Sequence, residues 1–254
     1  MKVGSLFSGV GGFDLAASWM GWTTVWYSEI QPYRGAIMAH HFPTARALGD
    51  IEAIEWSTVE PVDLVCGGFP CQDISAAGSR RGIAGARSGL WREFVRCLCA
   101  LRPRFAVVEN SPDLRVRGFD VVLGDLADLG FDAEWRVLSA ADVGAHHRRR
   151  RLWITATRRP DMADADGGRR ETRGESEPQG VAGQRGAESD RCRLDAIKLD
   201  PARWPRSWHV EPALVRVANG VPDAVDRVTA LGNAVVPACA YHIFRRLDAI
   251  RRGT

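Results

Sequence analysis

The chain has 254 residues, enough for one large domain or a main domain with a small attachment, and enough to bury a core without disulfide staples. Hydrophobic residues at 45% and charged residues at 26% are ordinary for a globular protein, and no apolar run approaches the roughly 20 residues that span a bilayer. A formal charge of +3 is too small to establish a nucleic-acid partner by itself, and six cysteines without C-x-x-C spacing argue against a zinc site. The N-terminus runs straight into a strand-like segment with no signal-peptide core, so a cytoplasmic protein with reduced thiols is expected.

In chain order, Val3 to Phe7 predicts a buried strand and Phe13 to Met20 a helix. Thr23 to Tyr27 is β-branched and aromatic, hence a strand, and Pro32 to His41 is a helix with proline in its first turn. Val62 to Cys66 is a strand ended by two glycines. Leu90 to Leu101 has helical spacing and stops before Arg102-Pro103. Phe105 to Val108 is the short apolar run of a strand covered on both faces. Phe119 to Leu129 predicts a helix ended by Gly130, and Trp135 to Leu138 and Leu152 to Thr157 two last strands. This alternation predicts an α/β fold with a doubly wound, mostly parallel sheet.

The pattern then breaks. Between Asp164 and Arg193 the only large aliphatic residue is Val181, so little apolar surface offsets the entropy of ordering, and 164–193 is expected to be a flexible insertion. Further helices are expected at Pro212 to Ala218 and Ala238 to Ile250.

Candidate functional residues sit where strands end. Phe7-Ser8-Gly9-Val10-Gly11-Gly12 joins a strand to a helix, and its glycines permit a tight turn and close approach to a ligand. Taken alone, this is equally a mere tight turn. Glu29, after the second strand, is placed to accept from ribose hydroxyls. Asp50, near the expected end of a third strand, could accept from an adenine amino group. Gly67-Gly68-Phe69-Pro70-Cys71-Gln72 follows the next strand. A cysteine on a glycine-flanked loop at the ligand-binding edge suits a nucleophile better than core packing. Glu109-Asn110 ends the following strand on that edge, where a carboxylic acid could donate a proton to a ring nitrogen. Arg148-Arg149-Arg150-Arg151 concentrates positive charge at the start of the last strand.

With these motifs in this order, completed by Gly232-Asn233-Ala234-Val235, the chain resembles the DNA (cytosine-5) methyltransferase family, in a compact form like its phage and bacterial members. The resemblance implies a Rossmann-like fold that uses S-adenosyl-L-methionine, flips a cytosine out of double-stranded DNA and methylates C5 through a covalent adduct at C6. It implies catalytic roles for Cys71 as nucleophile, Glu109 as proton donor to N3, Arg151 and Arg149 near the base and the active-site loop, and Asn110 and Pro70 in holding that loop. It implies a cofactor site formed by Phe7, Gly9, Val10, Gly11, Gly12, Glu29, Ile30, Asp50, Ile51, Gly68, Leu90, Asn233 and Ala234, with no metal. His147 stands where the family has glutamine, and Ser111 where it has a small aliphatic residue.

The same resemblance implies a catalytic domain over 1–158, a short target-recognition region over 159–210, and a hinge with a C-terminal helix over 211–254. Asp73 to Ser88, rich in glycine and arginine, would be a mobile lid. Trp204, Arg206, Trp208 and His209 are candidates for DNA contact or for a miniature core, and Arg216, Asp226 and Arg227 would support the recognition region. A monomer with a short or relaxed target site is expected. A tRNA cytosine-C5 methyltransferase and an inactive DNA-binding regulator remain as alternatives; the Cys-Phe-Thr tripeptide that marks the tRNA branch is absent.

Overall fold

The computed structural model describes residues 1–70, 89–159 and 232–253. The expected nucleophile Cys71, the expected lid, the recognition region with its tryptophans, the Pro212 to Ala218 helix and the residues Arg216, Asp226 and Arg227 lie outside the described residues. The chain divides into two compact units, Met1–Arg159 with Val217–Thr254 and Pro160–Arg216, and every described residue belongs to the first.

That unit contains β1 (Lys2–Leu6), α1 (Gly12–Trp19), β2 (Thr23–Ser28), α2 (Pro32–His41), β3 (Arg46–Ala47), β4 (Leu64–Gly67), α3 (Leu90–Leu101), β5 (Phe105–Asn110), α4 (Phe119–Asp128), β6 (Phe131–Ser139), β7 (Arg150–Arg158) and α5 (Pro237–Arg252). The strands form one sheet in the order β3-β2-β1-β4-β5-β7-β6. Pairings from β3 through β5 are parallel, whereas β7 is antiparallel to both β5 and β6. Reversing β7 places its first residues, not its last, on the edge where the parallel strands end. The strand order reverses direction between β1 and β4, and in such sheets ligands bind in the crevice opened there.

Side-chain alternation separates two cores. On one face, Phe13 of α1 stacks on Phe244 of α5 at 6.1 Å and meets Trp153 of β7 edge-on at 5.7 Å. On the other, Trp91 of α3 packs on Phe69 and Phe94 and donates from Nε1 to Asp125 Oδ2 of α4 at 2.7 Å. β5 is buried along its whole length, the expected state of a strand covered on both faces. Buried Trp91, Phe94, Cys97 and Leu98 recur at helical spacing along α3, and the helix ends at Arg102, left-handed at φ 46°, directly before Pro103. Cys66, Cys97 and Cys239 are buried core thiols, while Cys99 is exposed.

Candidate active site

Five chain segments converge on the sheet edge. Phe7 and Gly9 follow β1, Glu29 follows β2, Gly68 to Pro70 follow β4, Glu109 and Asn110 close β5, and Arg149 immediately precedes β7, of which Arg151 is the second residue. They border a cleft of about 560 Å³ that also takes in Ile30, Asp50, Ile51, Leu90 and Asn233.

The wall built from β1 and β2 is an array of backbone donors around a carboxylate. Phe7 and Gly9 both have positive φ, 51° and 59°, which turns the backbone sharply after β1. For phenylalanine that conformation costs on the order of 1 kcal/mol. Gly9 N–H donates to Glu29 Oε2 at 2.8 Å and Gln31 N–H to Glu29 Oε1 at 2.9 Å, so the carboxylate is held at the lip of the cleft with lone pairs to spare. Asp50 caps the 3-10 turn Ile51–Ala53, accepting from Glu52 N–H at 3.1 Å. Arg96 of α3 donates to the carbonyls of Ile51 and Ile54 at 3.1 and 3.2 Å and fixes that turn from behind. Ile30 is 62% exposed although it is a large apolar side chain, and it borders the cleft.

The opposite wall is organised around Glu109. In β-sheet register Glu109 faces Trp153, while Arg151 faces Leu138, and the Arg151 Nε approaches Glu109 Oε1 at 3.0 Å. Burial pushes the Glu109 carboxyl above the usual carboxylate range, and the positive charges of Arg151 and Arg149 only partly pull it back. Asn110 donates from Nδ2 to the Phe69 carbonyl at 3.2 Å, pinning the backbone two residues before Cys71, and accepts from Ser111 N–H at 2.7 Å. Ser111 in turn caps the 3-10 turn Pro112–Val116 by accepting from Asp113 N–H at 3.3 Å. A cap that starts a turn gives Ser111 a local reason to replace an aliphatic residue.

Close approach at two glycines shapes the two walls. A Cβ on Gly68 would lie 2.8 Å from Glu109 Oε2, and one on Gly12 would lie 2.4 Å from the Val235 carbonyl oxygen. The first lets the loop after β4 pass over the carboxyl, and the second lets the segment before α5 rest on the glycine turn. Period-two alternation turns Arg149 and Arg151 to the cleft, while Arg148 and Arg150 are exposed. His147 is exposed in the bend before them.

Of the residues expected from sequence, Phe7, Gly9, Glu29, Ile30, Asp50, Ile51, Gly68, Pro70, Leu90, Glu109, Asn110, Arg149, Arg151 and Asn233 border this one cleft. Val10, Gly11, Gly12 and Ala234 are not among its lining residues; Gly11 and Gly12 instead start α1, and Gly12 lies beneath Val235. Ser28, Gln31, Tyr33, Arg34 and Glu52 line it without having been singled out, as do Phe69 and Ser111, which were named within their motifs but not as site residues. All seven sit within five residues of a motif position, so the extent of each motif segment was the available signal.

The chain belongs to the C-5 cytosine-specific DNA methylase family, whose profile matches residues 1–180. Among its relatives, it is 35% identical to the type II methyltransferase M2.BsuMI of Bacillus subtilis over 172 residues, covering 65% of this chain and 44% of that protein. It is 33% identical over 178 residues to the type II methyltransferase M.Sau3AI of Staphylococcus aureus, covering 61% of this chain and 42% of the relative. The chain thus spans less than half the length of these curated relatives. The crystal structure of a prophage-encoded protein of E. coli, described as a DNA modification methyltransferase, superposes with a TM-score of 0.53 at 25% identity, covering 62% of this chain and 47% of that one. The Entamoeba histolytica methyltransferase EhMeth shares the fold at 18% identity, with a TM-score of 0.54 over 70% of this chain and 57% of its own. Among the described residues no helix is long and apolar enough to cross a membrane, and no cluster of potential metal ligands occurs.

Proposed function

We propose that the chain transfers a methyl group from S-adenosyl-L-methionine to C5 of a cytosine flipped out of double-stranded DNA, with Cys71 as the covalent nucleophile. The observation that carries this reading is the buried Glu109, held proton-ready above its ordinary range and flanked by Arg151, beside a loop that Asn110 pins two residues before Cys71.

The cleft fits the cofactor by its donor set. Glu29 would take the ribose hydroxyls, Asp50 with the backbone of Ile51 the adenine edge, and Phe7 and the exposed Ile30 the adenine faces. Asn233 and the turn at Gly9 would meet the amino-acid end. When bound, S-adenosyl-L-methionine supplies an electrophilic methyl group.

The chain's own residues supply the rest. C5 of cytosine is a weak nucleophile until a thiolate adds to C6. The Cys71 sulfur would form that bond while Glu109 delivers its proton to N3, so that the ring's negative charge is neutralised and C5 becomes enamine-like. Arg151, whose Nε lies 3.0 Å from Glu109 Oε1, would hold the carboxyl toward the ring and form an ion pair with it once the proton has left. After C5 carries the methyl group, a water molecule acting as base would take the C5 proton, the C5–H electron pair re-forms the C5–C6 double bond as the sulfur–C6 bond breaks, and N3 returns its proton to Glu109. Flipping costs a few kcal/mol, offset by contacts to the base and backbone phosphates.

The 159–210 region would then recognise the target, with a short or relaxed site, in a cytoplasmic monomer; the type II methyltransferases among its relatives support a DNA-modification role. The test is mechanism-based trapping: the full chain is mixed with cofactor and duplexes containing 5-fluorocytosine, whose fluorine cannot leave as the C5 proton does. A denaturation-resistant adduct is expected with duplex DNA and absent in Cys71→Ser. An adduct formed with tRNA and not with any duplex would move the substrate to RNA, and none with either would overturn the reading.

A further inference from the structure

Resting on the reading of the cleft as a cofactor site, we infer that Arg149 is a positioning residue for the cofactor, acting by holding the segment Gly232–Val236 against the glycine turn. This goes beyond a role for Arg149 toward DNA or the nucleophile loop.

Gly232 and Asn233 are helical and the three residues after them are not. The segment leads into α5 through those three residues, Ala234 to Val236, and Asn233, the residue in it that reaches the cleft, is exposed. Its position is imposed from two sides. Arg149 Nη1 donates to the Gly232 carbonyl at 2.5 Å, a charge-assisted bond across 83 residues of sequence and one residue from Asn233. Three residues on, the Val235 carbonyl lies where a Cβ of Gly12 would be, so the segment rests directly on the start of α1. Asn233 therefore sits between an arginine clamp and a glycine floor.

Arg149 is itself held to receive that load. Its carbonyl accepts from Ala140 N–H at 3.0 Å, in the 3-10 turn Ala140–Val143 that follows β6. The carbonyl of the adjoining Ser139 accepts from the Cys239 thiol at 3.9 Å in the first turn of α5. One turn thus fixes both the backbone of Arg149 and the helix into which the segment leads. The positive charge of Arg149 also acts on Glu109, so the same guanidinium that grips Gly232 bears on the charge of the opposite wall.

The test is direct binding of S-adenosyl-L-methionine to the full chain without DNA, by titration calorimetry, for wild type, Arg149→Met, Asn233→Ala and the double variant. Loss of the charged bond is expected to weaken binding about tenfold. Because Arg149 acts through Asn233, the double variant should bind within roughly twofold of the weaker single variant, a strongly non-additive cycle. Arg149→Lys, which restores a charged donor, should return the affinity to within about threefold of wild type. Arg149→Gln serves the same cycle should Arg149→Met fail to fold. Unchanged affinity without the guanidinium, or fully additive losses, would overturn the inference. Failure of the wild type to bind the cofactor would instead sink the reading of the cleft.

Discussion

Two glutamates stand on one sheet edge and face one cleft from opposite walls. Glu29 lies at the lip and accepts backbone N–H groups from Gly9 and Gln31. Glu109 is buried, faces two arginines and holds its proton above the ordinary carboxylate range. The same side chain is therefore a fixed acceptor on the β1–β2 wall and a candidate proton donor on the β5–β7 wall. Surroundings, not residue type, divide the labour.

Exchanging their properties is the strongest way to break that comparison. Glu109→Gln keeps the shape but cannot release a proton, so methyl transfer to DNA should fall by about 10²–10⁴-fold while direct cofactor binding stays within roughly threefold. The pH profile follows from the same shift. A carboxyl raised by burial stays protonated through its ordinary range, and the competent form is lost as pH rises through the folded value. Wild-type turnover should accordingly decline on the alkaline side, and the residual turnover of Glu109→Gln should lack that limb; a decline that survives the substitution would assign it elsewhere.

Gly68→Ala is the next sharpest perturbation, because its Cβ would press within 2.8 Å of Glu109 Oε2. Displacing the carboxyl by a few tenths of an ångström should lower turnover by about ten- to a hundredfold, measured at saturating cofactor. On the other wall, Glu29→Gln should raise the cofactor Kd roughly tenfold through weakened charge-assisted bonds, with turnover at saturating cofactor little changed. Equal losses of binding and turnover in both variants would erase the distinction between the walls.

The smallest effect concerns the support beneath the glycine turn. Asp14 of α1 is buried and accepts from Ser5 Oγ at 3.1 Å and Thr24 Oγ1 at 3.0 Å, and burial raises its carboxyl to about 6. The unfolded carboxyl titrates near 3.8, so the folded form binds the proton more tightly. The stability this contributes is complete below pH 3.8 and is lost as pH rises through about 6. Asp14→Asn should remove that dependence and, at pH 8, stabilise the fold by about 1 kcal/mol, since weaker bonds to the two hydroxyls offset part of the gain. Denaturant unfolding at pH 4 and pH 8 would measure it, and an equal effect at both would contradict the assignment.

Local signals made much of this fold legible. α2 and α3 begin and end at the residues expected from Pro32, from the apolar spacing of Leu90 to Leu101 and from Pro103. β6 was legible only in part: Trp135 to Leu138 was expected, whereas it runs Phe131–Ser139. Phe131, Ala133, Trp135 and Val137 alternate with Asp132, Glu134 and Arg136, the period-two pattern of a strand with one polar face, so its first half carries the alternation of an edge strand and no continuous apolar run. β3, two exposed residues paired with Trp26 and Tyr27, has no signal of its own.

By itself the sequence determined the family, the α/β alternation and the chemical types gathered at strand ends, because glycine turns, apolar periods and motif order are properties of neighbouring residues. Only the tertiary structure decided that β7 runs antiparallel and brings Arg151 to Glu109, that burial raises that carboxyl, and that Val235 rests on Gly12 while Arg149 grips Gly232. Those outcomes depend on strand pairing and desolvation across 42 to more than 200 residues of chain. No local pattern encodes them, since the energy of each exists only when distant segments meet.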